Sequence, residues 1–440
     1  MAPPNLLDAP PLGPPAAGAA DLGARSQPMT AAAGPAHAVA TEPAGLGPRH
    51  ILIYTDDAQH GGVAQYNHAI ALGLLQAGFR VSMVQSASDS PLVAQQRAAG
   101  VRHLWLDYDT AREFPRTIHD TASAQRMLRA GKPDLVVFSD CCPCSNFAAR
   151  AVAAQLGLPY VVVVGFVAAY LAQDFGALLP MLARQYAGAA GVVAVSQENL
   201  DLLRNAFGLA PQAGQVIHYG RPERFFAPPD PSVRARLRGE LGLPPDAVVS
   251  FTAARLAPIK GYAYQVAAAR ELRNRPEGQR LHFVWAGGGA YAEELTRAIA
   301  AARLGDRIHL LGHRWDVADW YDAADVFLLT SEQEGMPLAI MEAMAKGLPV
   351  AATAVSGIPE ELGDTGQLLP PGAADRAGLI SQLVRTLGAW TTDAALRHRV
   401  GVAGKRRAEA LFREATMVAR TLELVRSCVP TTPPANRPAA

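Results

Sequence analysis

The sequence is short of charge, of cysteine and of uninterrupted apolar runs, and each shortage excludes something. Only 18% of the residues are charged while half are hydrophobic, so most of the chain can build globular cores. The 40 basic residues are matched by 39 acidic ones, which excludes wholesale attraction to nucleic acid and leaves only local patches. Four cysteines in 440 residues cannot make a disulfide scaffold, and three of them are crowded into CCPC at 141–144. A reducing cytoplasm suits that usage. Cys141, Cys142 and Cys144 are too tightly spaced for a zinc-finger pattern, with Cys428 far away, so no metal site is expected. The most apolar stretch, LPYVVVVGFVAAYLA at 158–172, carries Pro159 and Gly165 and stops at Gln173 and Asp174. A membrane-spanning helix needs about 20 largely apolar residues, so this one reads as a buried strand entering a loop.

Residues 1–48 contain no aromatic residue and are mostly Ala, Pro and Gly. Such a segment buries too little apolar surface to offset its ordering entropy, and a disordered leader is expected. It lacks the basic start and continuous apolar core of a signal peptide. The last stretch, VPTTPPANRPAA at 429–440, is expected to be a disordered tail.

Between these ends the pattern alternates. RHILIYTDD reads as a buried strand ending in polar residues, and the segment after it places Val63, Tyr66, Ile70, Leu74 and Leu75 at helical spacing. RVSMVQSAS, KPDLVVFSD, PYVVVV, AGVVAVS and GQVIHYG read as further strands with helices between them. Clustered prolines and one short basic helix mark 226–246 as a linker. The rhythm then restarts with AVVSFTAARL, LHFVWAGGG, RIHLLGH, ADVFLLTS and GLPVAAT, and closes on a long amphipathic stretch through Cys428. Alternating strands and helices imply parallel, doubly wound sheets. The expectation is an α/β chain of two Rossmann-like domains, 49–225 and 247–385, facing each other across a cleft. Residues 386–428 would be C-terminal helices. In such folds ligands bind outside the carboxyl ends of strands.

One segment, SEQEGMPLAIMEAMAKGLPV at 331–350, has chemistry at such an end. A strand gives way to a loop carrying Glu334, and Pro337 suits the first position of a helix that stops at Gly347. Glu342 then lies about one turn into that helix, and both carboxylates can face the cleft. Two acceptors suit sugar hydroxyls, and the free N–H groups of the helix start suit a phosphate. An acidic first turn that merely complements the helix dipole is the plain structural alternative. In AARLAPIKG at 253–261, Arg255 and Lys260 offer two cations after a strand, which suits a phosphate, although such a pair is often a solvated face. HGGVAQY at 60–66 places Gly61 and Gly62 before a helix, where backbone can approach a ligand or simply turn. Neither it nor GGG at 287–289 is the G-x-G-x-x-G dinucleotide fingerprint, which disfavours a dehydrogenase.

EGMPLAIMEAMAKGLPV resembles the E-x7-E signature of the retaining GT-B glycosyltransferases of family 4, the group related to sucrose and mannosyl transferases. AARLAPIKG, FVWAGGGAYAEEL, LLGHRWDVADWYDAADVFLLTSEQEG and SGIPEEL continue the resemblance in order and spacing. It implies a GT-B fold, an N-terminal acceptor domain, a C-terminal nucleotide-sugar domain and final helices that return toward the N-terminal one. It implies transfer of a hexosyl group, with retention, from a UDP- or GDP-linked donor to a hydroxyl acceptor. That acceptor would be a glycan, a lipid-linked group or a small molecule, in polysaccharide or glycoconjugate biosynthesis. No cofactor and no divalent metal would be required. Arg255 and Lys260 match the basic pair at the donor diphosphate, and Glu334 the residue on donor-sugar hydroxyls. Gly335, Met336, Pro337 and Leu338 match the backbone against sugar and phosphate, and Glu342 the ribose-binding glutamate. Gly61 and Gly62 match the glycine loop. His313 and Arg314 sit where the family contacts the base. A nucleotide-sugar epimerase, a phosphorylase and a non-catalytic nucleotide-sugar-binding protein are the alternatives.

The chain departs from the family where members often carry histidines, after the third strand recognised and in the turn beyond PYVVVV. Here FSDCCPC and VVVVGFV stand instead, so Ser139, Asp140 or Cys141 would face the cleft. His60 is either a substitute or a polar loop residue. No nucleic-acid partner is expected, and a peripheral contact with the inner face of a membrane stays open.

Overall fold

Two parallel sheets with one plan organise the chain. The computed structural model describes residues 48–57 and 61–430. The leader up to residue 47, His60, and the tail from residue 431 lie outside the described residues. The first sheet contains β1 (His50–Thr55), β2 (Arg80–Gln85), β3 (Arg102–Trp105), β4 (Leu135–Asp140), β5 (Tyr160–Val164), β6 (Gly191–Ala194) and β7 (Gln215–Val216), in the order 3-2-1-4-5-6-7. The second contains β8 (Val248–Ala253), β9 (Leu281–Ala286), β10 (Ile308–Gly312), β11 (Val326–Leu329), β12 (Val350–Thr353) and β13 (Gln367–Leu369), in the order 10-9-8-11-12-13. Each order reverses beside its first strand, and that switch is where a doubly wound sheet opens a crevice.

Burial explains the central strands. All residues of HILIYT in β1 and YVVVV in β5 are buried, as expected for strands covered on both faces. The edge strands β3 and β13 escaped the reading of the sequence. RHLW is exposed or half-buried throughout, and QLL is three residues long, so neither shows the apolar run that marks a central strand. GQVIHYG, read as a full strand, pairs only through Gln215 and Val216.

The 226–246 stretch packs onto the second half. Its helix, Pro231–Glu240, buries Leu237 against the second half. Arg234 and Arg238 hold the two oxygens of Asp325 at 2.6 and 3.0 Å. The last amphipathic stretch divides into the helices Ala394–Leu411 and Glu414–Cys428. The crossing chain sits at the break: Arg221 N–H donates to the Phe412 carbonyl at 2.7 Å, and Glu414 N–H donates to the Arg221 carbonyl at 2.9 Å. Beyond the break, Glu414–Cys428 packs on the Gly62–Gln76 helix of the first half, with Tyr66 and Thr421 hydroxyls 3.3 Å apart. One apolar cluster continues through both halves, with the Phe225 and Phe251 rings 6.1 and 5.1 Å from Tyr321. Among the described residues no helix is long and apolar enough to cross a membrane.

Candidate active site

The strand ends of the second sheet supply the first part of the site. β11 leads into Glu334, whose Oε1 lies 2.6 Å from Lys260 Nζ and accepts from Ser331 Oγ at 2.6 Å. The Glu334 backbone N–H donates to Ser356 Oγ at 3.2 Å, which fixes the loop against the 354–360 turn. Lys260 reaches Glu334 because Gly261 behind it adopts φ +69°, where a Cβ would stand 1.8 Å from the Thr330 carbonyl oxygen. Only glycine lets the two loops approach this closely. Lys260 and Glu334 are 14% and 10% exposed, so they are partly desolvated yet reachable. Arg255 is exposed, and its guanidinium has no partner among the described residues.

The following helix, Leu338–Ala345, begins one residue later than expected, with Pro337 as its N-cap. Met336 is buried, while Pro337 and Leu338 are half-buried. Glu342 is brought near but not left open. Its Oε1 lies 2.6 Å from Arg221 Nη2, and its Oε2 accepts from Tyr321 OH at 2.6 Å. Arg221 and Glu342 are 3% and 7% exposed, so this is a sealed ion pair. The pattern of the sequence places Glu342 on the cleft side of its helix but does not reveal Arg221. The available signal was an arginine inside the aromatic-flanked YGRPERFF, a position that needs an anion once buried.

Arg314 is likewise engaged. Its Nε and Nη2 hold the Asp316 carboxylate at 2.7 and 2.5 Å, and this pairing lowers the Asp316 pKa. His313 meets Trp315 edge-on, with ring centroids 4.7 Å apart.

The first sheet contributes the opposite wall. Gly61 caps the Gly62–Gln76 helix in extended conformation. A Cβ on Gly62 would lie 3.3 Å from the Tyr219 ring and 3.8 Å from Leu338, so the glycine loop abuts the second half. Gly335 is closer still: its Cβ would meet the Gly165 carbonyl oxygen at 2.2 Å. Gly61, Gly62, Gly335 and Leu338 therefore gather at one seam, beside Lys260 and Glu334.

The first-sheet acids turn inward. Asp56 accepts from Cys141 N–H at 2.9 Å and Ser145 Oγ at 2.7 Å, and burial pushes its carboxyl up to about 6. Asp140 accepts from Asn146 at 2.7 Å and faces Arg150 Nη1 at 3.5 Å. Burial, only partly offset by Arg150, pushes Asp140 up to about 8. Of the three cleft candidates, Ser139 and Asp140 are sealed, and Cys141 is half-buried with its thiol pushed well up by burial. Among the described residues no group of His, Cys, Asp or Glu side chains is arranged to hold a metal ion.

A cleft of about 500 Å³ opens next to Ser356, between Glu198, Asp201, Leu202 and Asn205 of the first half and Ala354, Pro359 and Glu360 of the second. Glu360 closes one side by accepting from Gln197 N–H at 2.6 Å and meeting His218 Nε2 at 2.7 Å.

Comparison with known proteins agrees with this geometry. Residues 247–388 match the family model described as glycosyl transferases group 1, and residues 61–220 match the glycosyl transferase 4-like domain. A D-inositol 3-phosphate glycosyltransferase of Streptomyces bingchenggensis is 32% identical over 238 residues, 51% of this chain and 50% of that protein. An alpha-maltose-1-phosphate synthase of Mycobacterium tuberculosis is 30% identical over 246 residues, 53% of this chain and 62% of that protein. The chain spans about half the length of the curated relatives it matches. Among solved structures, Anabaena HepE in complex with UDP superposes with a TM-score of 0.71 at 20% identity, over 86% of this chain and 100% of that one. The sucrose-phosphate synthase of Thermosynechococcus elongatus gives 0.68 at 21% identity, over 86% of this chain and 98% of that one. The chain belongs to the group 1 glycosyl transferases, and its fold is GT-B.

Proposed function

We propose that this chain is a retaining glycosyltransferase that moves a hexosyl group from a nucleoside diphosphate sugar to a hydroxyl acceptor. The observation that carries the reading is the seam where Lys260, Glu334, Gly335 and Leu338 meet the Gly61–Gly62 loop at the ends of two sheets. Arg255 and Lys260 take the donor diphosphate and the charge that grows on it as the sugar departs. Glu334 accepts from donor-sugar hydroxyls, exchanging part of its contact with Lys260 for them. Gly335, Met336, Pro337 and Leu338 lay backbone along sugar and phosphate. Glu342, held by Arg221 and Tyr321, uses its remaining lone pairs for the ribose, and Arg314 borders the base.

The acceptor enters from the cleft beside Ser356, whose carboxylates suit hydroxyl donors. In a front-face course the C1–O bond to the diphosphate breaks and a bond to the acceptor oxygen forms on the same face. The acceptor proton passes to the departing phosphate oxygen. Because basic side chains and the helix start carry the diphosphate charge, turnover is expected to persist in EDTA. We place the reaction in a reducing cytoplasm, a setting that suits the four free cysteines.

The donor is either UDP- or GDP-linked. HepE was solved with UDP and with UDP-glucose, which puts uridine first in the test. The experiment is a thermal-shift panel of UDP-, GDP- and ADP-sugars followed by product analysis with and without acceptor. One base series should raise the melting temperature, since a ligand of the folded state stabilises it. Retention should appear in the anomeric configuration of the product. A panel without any shift would defeat the reading. Donor turnover to an epimer or a sugar phosphate would replace it with a different GT-B reaction, and binding without turnover would make the chain a non-catalytic binder.

A further inference from the structure

Tyr219 lies at the same seam and has no role in the account so far. Its side chain is 4% exposed, and among the described residues its hydroxyl has no hydrogen-bond partner. The hydroxyl is not sealed from solvent, so its donor is left free for water or a ligand. The surroundings fix where that hydroxyl points. A Cβ on Gly165 would stand 2.7 Å from it, and a Cβ on Gly62 would touch the Tyr219 ring at 3.3 Å and Leu338 at 3.8 Å. The phenol thus ends between the glycine loop and the end of β5, and the glycine loop in turn meets the Leu338 side chain. In the first turn of the Leu338–Ala345 helix the backbone N–H groups of Leu338 and Ala339 have no hydrogen-bond partner among the described residues. Free N–H groups at a helix start favour an anion, and the Tyr219 hydroxyl, on the glycine-loop side of the same seam, adds a donor.

The side chain is held in place from both directions along the chain. His218 before it meets Glu360 at 2.7 Å. Gly220 after it leaves no room for a Cβ, which would lie 2.6 Å from the Arg413 carbonyl oxygen. Tyr66 packs on the ring, with centroids 5.7 Å apart. Burial drives the phenol well above its ordinary pKa, so it stays protonated and acts as a donor. A donor fixed in advance loses little entropy when the ligand arrives.

We propose that Tyr219 donates a hydrogen bond to the terminal phosphate of a bound nucleoside diphosphate, across the seam from the start of the Leu338–Ala345 helix. This rests on the glycosyltransferase reading and adds to it a contact from the first half, at the place where Ser139 and Asp140 are sealed. The bond would strengthen as negative charge collects on the departing diphosphate, which makes Tyr219 a catalytic residue.

The test is calorimetric titration of the full chain with UMP, UDP, GMP and GDP. Tyr219→Phe removes one oxygen and keeps the ring. It should weaken the diphosphate of the preferred base by about tenfold or more, the size of one hydrogen bond to a charged group. Binding of the matching monophosphate should stay within about twofold, which is under 0.5 kcal/mol on the same scale. Tyr66→Phe is the control, because that hydroxyl serves Thr421 on the far side of its helix; it should leave both affinities unchanged. Equal loss for mono- and diphosphate, or no loss for either, overturns the role of Tyr219 while the wild-type chain still upholds the reading it rests on. Failure of the wild-type chain to bind any of the four overturns both.

Discussion

The two halves share a strand order but treat charge at their strand ends in opposite ways. In the second sheet, Arg255 is exposed and the Lys260–Glu334 pair stays partly exposed, at 14% and 10%. In the first sheet, Asp56, Asp140 and Arg150 are folded under the loop at 141–146 and are almost wholly sealed. A reachable ion pair can trade its partner for a ligand at little cost. A sealed one must be maintained by the fold, or neutralised. The same residue types are therefore reachable by a ligand in one half and locked into the fold in the other, and the sealed Glu342, eight residues from Glu334, shows that the boundary runs through the motif itself.

The largest test of that contrast is Arg221→Met. Removing one partner of a buried pair leaves the other charge uncompensated, which costs about 3–5 kcal/mol. Urea unfolding should show most of this loss, since Glu342 has only Tyr321 left to satisfy it. Arg150→Met should cost clearly less, because Asp140 already favours its neutral form and meets Arg150 only at 3.5 Å. Equal losses for the two variants would show that Asp140 is held ionised by Arg150 and not neutralised by burial.

The two glutamates sharpen it next. Glu334→Gln should leave the unfolding midpoint almost unchanged, because its partner Lys260 can turn to water. It should lower kcat by about tenfold to a hundredfold, the roughly 1.5–3 kcal/mol of a charged contact made mainly in the transition state. Glu342→Gln should raise KM and also lower stability, since it unpairs Arg221. A stable Glu342→Gln protein with a kcat defect, together with an unstable Glu334→Gln protein, would show the roles reversed.

How much of this was legible before folding follows the same division. The segment from β11 to Gly347 could be read because strand, polar loop, proline and glycine punctuate it locally, and Arg255 and Lys260 could be read for the same reason. Both sheets were visible wherever a strand is buried on two faces, and edge strands such as RHLW were not. Arg221 and Tyr219 were invisible because the groups they meet lie far along the chain, Glu342 on the Leu338–Ala345 helix and Gly165 just past the end of β5. Nothing near Asp140 in the sequence distinguishes an acid lining a cleft from one folded beneath a loop. That difference arises from tertiary packing, where the Phe147–Gln155 helix brings Arg150 under the strand end.

The smallest expected effect is on pH dependence, and it isolates the sealed acids. Asp140 has a folded pKa of about 8, above its unfolded value, so the folded state holds a proton that the unfolded chain has lost. Such a group contributes stability that is present at low pH and fades as pH rises through the folded value. Glu361, buried without a partner in the second half, acts with the same sign. Below about pH 6.5 the buried histidines oppose this, because His103 and His282 are held near 4 and must pick up protons on unfolding. Between pH 7 and 8 those histidines are nearly silent, and the acids should dominate. Stability should fall there by roughly 1 kcal/mol through Asp140 alone, since a full proton over one pH unit is worth about 1.4 kcal/mol and Asp140 is partly titrated in this window; Glu361 adds to the same slope. Asp140→Asn should remove Asp140's share of the slope and Glu334→Gln should leave it intact, as read from urea midpoints at pH 7.0, 7.5 and 8.0. A slope that persists undiminished in Asp140→Asn would assign it to Glu361, and the sealed charge would then mark the second half as much as the first.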